Sequence, residues 1–137
     1  MVISNKGKTG ITMIYGIGTD IAKVNRFEKW VNNPDFIARF FNENEIMEKG
    51  SIYAKCEHYA ARFAAKEAFS KALGTGITDF SLKDVYITNN KEGKPILNIE
   101  NNAKKILQER CGDNNLFVSL SHEKEFAVAF VIIEKVM

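Results

Sequence analysis

Proline and cysteine each occur only twice in 137 residues. Pro34 and Pro95 are too few for a proline-rich linker. Cys56 and Cys111 are too few for the disulfide lattice of a small secreted domain. Taken with His58 and His122 they match no paired zinc-ligand spacing. Both thiols read as small buried hydrophobes in a reducing, cytoplasmic setting. Long apolar runs are also missing: the longest, Phe126 to Ile133, falls far short of the roughly 20 residues that cross a bilayer, so no membrane contact is expected. Neither charge sign dominates, with 19 Lys and Arg against 17 Asp and Glu. The basic stripe that a nucleic-acid partner requires is absent.

What is there fits one ordinary domain. Hydrophobic residues make up 45% and charged residues 26%, which excludes disordered and collagen-like chains. Residues 1–12 are polar and lysine-bearing, unlike a signal peptide, and read as a flexible extension before a domain at 13–137. Ile14 to Gly18 reads as a short strand, with Gly16 and Gly18 marking a close approach by another backbone or a ligand. Ala22 to Val31 has helical spacing and stops at Asn32-Asn33-Pro34. Short helical pieces are expected over 36–41 and 43–49. The strongest helix runs from Ile52 to Leu73, closed by Gly74. Strands at 85–88 and 96–99, a helix over 101–110, and a terminal hairpin of 117–121 with 126–134 complete an α+β order. The last strand is apolar on both faces, which predicts cover on both sides.

Several polar residues stand out against this frame. Phe63, Glu67 and Lys71 share one file of the long helix, and Arg62, Lys66 and Ser70 form a second beside it. Glu67 with Lys71 is, at its simplest, a solvated pair. Asp20, following the glycine strand, would alone be an N-cap. Together, Asp20 and Glu67 offer hard oxygen ligands for Mg²⁺, which takes one or two carboxylates and completes its shell with waters and substrate phosphates; the neighbouring lysines and arginine would serve those phosphates. Gly74-Thr75-Gly76 is either a cap and turn or a loop whose N–H groups approach a phosphate. His122, beside Ser121, is either an exposed turn residue or a phosphate donor.

Three stretches together resemble the holo-acyl-carrier-protein synthases, the small 4′-phosphopantetheinyl transferases: IYGIGTDI (14–21), RFAAKEAFSKALGTG (62–76) and VSLSH (118–122). Gly93-Lys94-Pro95 is similar to a turn of the same family. The resemblance implies an antiparallel sheet packed on a long helix, assembled as a homotrimer with active sites at subunit junctions. It implies transfer of phosphopantetheine from coenzyme A to a serine of an apo acyl carrier protein, in fatty acid biosynthesis, with release of adenosine 3′,5′-bisphosphate. By the same resemblance Asp20 and Glu67 are metal ligands. Glu67, Lys71 and His122 are catalytic, and Glu67 is the candidate base, directly or through a water. Arg62, Lys71, Gly74, Thr75, Gly76, Gly93, Pro95, Ser121 and His122 meet the coenzyme, and Arg26 docks the carrier. The chain departs from the family at Glu28, which interrupts Lys23, Arg26 and Lys29, and at Glu123, where a small hydroxyl residue is common. A non-catalytic module that binds coenzyme A or a carrier would share the basic and glycine-rich surface, but it would not need two carboxylates to meet.

Overall fold

A computed structural model describes residues 10–137. Its order is β1 (Thr12–Lys23), a 3-10 turn over Val24–Phe27, α1 (Glu28–Val31), α2 (Pro34–Phe40), α3 (Ile52–Leu73), β2 (Val85–Asn89), β3 (Pro95–Ile99), α4 (Asn101–Cys111), β4 (Asn114–His122) and β5 (Phe126–Val136). The main sheet is antiparallel in the order β1-β5-β4, and β2 and β3 form a separate hairpin. This is the expected α+β architecture. No helix among the described residues is long and apolar enough to cross a membrane. Residues 1–9 of the predicted extension lie outside the described residues, while Thr12 already pairs with Val136.

Helix α3 organises the molecule, and its ends lie where the sequence places them. Ser51 accepts from the Ala54 N–H at the start, and Gly74 adopts a left-handed φ of 85° at the end. Ala60, Ala64, Ala68 and Phe69 are buried along it, as are Cys56 and the α4 residue Cys111. Strand β1 lies directly on this helix. A Cβ added at Gly16 would sit 1.8 Å from the Ala72 carbonyl oxygen, and one at Gly18 would sit 1.9 Å from that of Ala68. The two main chains touch, so only glycine fits.

Two expectations need correction. The stretch from Ala22 to Val31 is not one helix. β1 continues to Lys23 because every residue from Gly16 onward pairs with β5, and only a 3-10 turn and one α turn follow. Sheet pairing overrides a helical pattern in which Val24 and Phe27 still reach the core. Asp20 is therefore a strand residue opposite Ala129, not a helix cap. The segment 43–49 contributes only a 3-10 turn at Glu43–Glu45, closed by a capping box with Asn42.

Lys66 also departs from its expected role beside a phosphate. It is fully buried, 2.6 Å from the equally buried Glu45 carboxylate. Its ammonium further donates to the carbonyls of Leu82 and Val85, and Glu45 accepts from the N–H groups of Asn42 and Ile87. Burial pushes the lysine pKa down and Glu45 opposes this. The pair is structural: it ties the loop before α3 to β2. Lys66→Met should cost about 3–5 kcal/mol, because an uncompensated carboxylate stays in the core. Chemical denaturation measures this, and a loss below about 1 kcal/mol would contradict the assignment.

Candidate active site

The alternation of β1 decides where Asp20 points. Gly18, Asp20 and Ala22 share the face that packs on α3, whereas Ile17, Thr19 and Ile21 share the other. Asp20 thereby meets Lys71, whose ammonium donates to Oδ1 at 3.0 Å and to the Thr19 carbonyl at 3.1 Å. Glu67, one helical turn before Lys71, lies within reach of the same charge. Burial first, and then the charge of Asp20, raises the Glu67 carboxyl above its ordinary range, against opposing pulls from Lys71 and Arg26. Two carboxylates from distant parts of the chain thus converge, and a lysine already balances one of them.

Arg26 borders this group. Its guanidinium lies 5.0 Å from the Phe63 ring centroid and within 6 Å of those of Phe27 and Trp30, an arrangement that fixes an exposed cation against an aromatic floor. Beyond Lys71 the chain turns through Gly74-Thr75-Gly76. The Gly74 and Thr75 N–H groups both donate to the Ser70 carbonyl, so this turn is indeed a helix cap. The Thr75 hydroxyl is buried and has no partner among the described residues, which leaves it free to bond an incoming group.

The remaining predicted residues gather elsewhere. Arg62 is five positions before Glu67, hence about 140° away around the helix. It lines a cleft of about 440 Å³ together with Glu57, His58, Gly93, Pro95 and His122. Its Nη1 donates to the His58 carbonyl and its Nη2 to Asn89 Oδ1, while its buried Nε has no partner among the described residues. His58 Nε2 donates to the Glu45 carbonyl at 2.6 Å, and burial lowers its pKa to about 4. It stays neutral. A second cleft of about 410 Å³, lined by Lys23, Asn25, Tyr53 and Cys56 among others, includes none of the predicted residues.

Ser121 and His122 both line a small cleft with Ile21, Glu123 and Phe126. Being adjacent on β4, they point to opposite faces. His122 turns toward α3, where its Nδ1 lies 2.9 Å from Glu57 Oε2. Ser121 joins the outer face opposite Val128, beside the exposed Ile21. That outer face is the uncovered side of β5: Ala127, Ala129, Val131 and Ile133 are buried, but Phe130 is 44% exposed, as are Ile17 at 53% and Phe117 at 49%. Sequence reasoning missed Glu57. Its partner is 65 positions away (122 minus 57), and no local pattern connects them.

The donor set suits a hard cation only in part by itself. No cluster of three or more His, Cys, Asp or Glu side chains that could hold a metal occurs among the described residues. Two convergent carboxylates with raised mutual repulsion fit Mg²⁺, which leaves its other positions to water and phosphate oxygens.

Known proteins agree with this architecture. The family described as the 4′-phosphopantetheinyl transferase superfamily matches residues 16–131. A holo-[acyl-carrier-protein] synthase of Treponema denticola is 46% identical over 125 residues, covering 89% of this chain and 99% of that protein. One from Pelagibacter ubique is 43% identical, covering 89% and 98%. Among solved structures, a Bacillus anthracis holo-(acyl-carrier-protein) synthase in complex with CoA (3′,5′-ADP) is 42% identical with a TM-score of 0.71, covering 90% of this chain and 98% of that one. The Neisseria meningitidis synthase is 35% identical with a TM-score of 0.75, covering 90% and 100%. With the match spanning most of the chain and the relatives aligned almost end to end, this chain belongs to the 4′-phosphopantetheinyl transferase superfamily.

Proposed function

We propose that this chain is a holo-acyl-carrier-protein synthase that moves 4′-phosphopantetheine from coenzyme A to a serine of an apo carrier protein, in fatty acid biosynthesis. The observation that carries the active-site assignment is the convergence of Asp20, Glu67 and Lys71 from a strand and a helix in main-chain contact. Asp20 and Glu67 would hold Mg²⁺, which when bound neutralises the diphosphate of coenzyme A. Lys71 exchanges its bond to Asp20 for one to a phosphate oxygen. The carrier serine oxygen forms a bond to the phosphorus bearing pantetheine, and the bond from that phosphorus to the departing adenosine 3′,5′-bisphosphate breaks. Glu67 accepts the serine proton, directly or through a water. Arg62 and His122 supply the cationic contacts for the coenzyme's phosphates, in a cleft that Gly93 and Pro95 also line. The Thr75 hydroxyl supplies a further donor.

The separation of the site into two groups supports assembly. Asp20, Glu67 and Lys71 belong to one surface and Arg62 with His122 to another, while the outer sheet face exposes Ile17, Ile21, Phe117 and Phe130. A homotrimer that covers this face and places one subunit's cleft beside the next subunit's carboxylates would complete a site. Its domain starts at Thr12, one residue before the expected 13, because Thr12 pairs with Val136, and the two buried thiols suit a reducing cytoplasm.

Incubating the chain with apo carrier, coenzyme A and Mg²⁺, and weighing the carrier, tests the reaction. A gain equal to one phosphopantetheine is expected, whereas a non-catalytic binder gives none. Arg26, exposed above its aromatic floor with Lys23 and Lys29 nearby, is the docking cation for an acidic carrier. Arg26→Ala should raise KM for the carrier by about tenfold and leave KM for coenzyme A within about twofold. Equal changes in both constants would remove Arg26 from the docking face.

A further inference from the structure

We propose that Glu57 is a positioning residue for His122, acting with Tyr53 to keep a proton on the imidazole Nδ1 and to aim Nε2 into the Arg62 cleft; this rests on the transferase function proposed above. Glu57 stands on α3 with its side chain 22% exposed, and its Oε2 lies 2.9 Å from His122 Nδ1. An ionised carboxylate only accepts hydrogen bonds, so Nδ1 carries the proton. A neutral imidazole free in water prefers its proton on Nε2; Glu57 reverses that preference. Nε2 then meets a phosphate oxygen as a donor only when the ring is cationic, and Glu57 balances that charge.

Two further observations separate this from an idle surface ion pair, which would contribute little. Among the described residues Glu57 is the only carboxylate that lines the cleft. Left unpaired there, it would repel the coenzyme's phosphates; paired with His122, its charge is used. Tyr53 borders the same pair. Its hydroxyl lies 3.2 Å from the same Glu57 Oε2 and 3.0 Å from the Lys124 carbonyl. Lys124 belongs to the turn between β4 and β5, two residues after His122. With one O–H proton and two acceptors, the tyrosine donates to either the carboxylate or the Lys124 carbonyl, and so stands where Glu57 meets the strand end that carries the histidine.

The test compares Glu57→Ala, Glu57→Gln, His122→Gln and the double variant Glu57→Ala with His122→Gln. Steady-state transfer and calorimetric binding of adenosine 3′,5′-bisphosphate give the constants, and nitrogen-resolved NMR of the imidazole gives the tautomer. Glu57→Ala should raise KM for coenzyme A by about tenfold, with kcat changed less than about twofold. Glu57→Gln, whose amide oxygen accepts the same bond without the charge, should recover part of the loss and serves should the alanine variant not fold. In the His122→Gln background, Glu57→Ala should add less than about twofold. The His122 proton should shift from Nδ1 toward Nε2 in Glu57→Ala. Equal costs with and without His122, or an unchanged tautomer, would overturn the assignment. Should the wild-type chain modify no carrier, the transferase function fails alone, because the imidazole spectrum still decides where Glu57 places the proton.

Discussion

Glu67→Gln should leave a folded chain whose transfer rate falls by about a thousandfold or more. The amide keeps the shape of the side chain but removes the charge that would grip a divalent cation opposite Asp20, and it removes the candidate base as well. Stability should not suffer. Burial and the nearby Asp20 charge raise the Glu67 pKa in the fold. A carboxyl raised in this way favours the folded state below its ordinary range and loses that contribution as pH rises through its folded value. Near neutral pH the neutral amide should therefore match or exceed the wild-type Tm. Mass analysis of the carrier and a thermal melt decide the matter together: full activity would defeat the assignment of Glu67, and a lowered Tm would contradict the electrostatic account.

Gly18→Ala is expected to be the most damaging substitution to the fold, costing more than about 5 kcal/mol. The added methyl would stand 1.9 Å from the Ala68 carbonyl oxygen and 2.8 Å from the Ala72 nitrogen. Neither is the far end of a flexible side chain; both belong to the main chain of a buried helix, which cannot move without unseating the sheet. Soluble yield and a denaturation midpoint measure the effect. A variant within about 2 kcal/mol of wild type would show that β1 and α3 can separate at little cost.

The sequence made helix α3 legible because each of its signals agrees: Ser51 before it, a dense alanine run within it and Gly74 after it. The glycines of β1 also declared themselves, since two in one short strand have few uses other than a close approach. Asp20, Glu67 and Lys71 were legible as chemistry, and the structure brings them together. The end of β1 was not legible, because Val24 and Phe27 are buried at positions a helix would also bury, and only pairing with β5 decides between them. Lys66 looked like one cation among several, although Ala64, Ala65, Ala68 and Phe69 around it already described a core position. Its partner Glu45 lies 21 positions back, beyond any local periodicity. Ser121 and His122 are neighbours on a strand, so their side chains leave opposite faces even though both border one cleft at the strand's end.

That divergence makes the terminal hairpin sensitive to counting. A slip of β4 by one position against β5 would carry His122 to the outer face and Ser121 toward α3, and both would be lost to their tasks in one event. The Glu123 N–H bond to the Phe126 carbonyl and the Tyr53 tether at Lys124 hold the tip of the hairpin in place. Insertions or deletions within 114–126 should thus be far less tolerated than substitutions there, even though the turn itself lies at the surface.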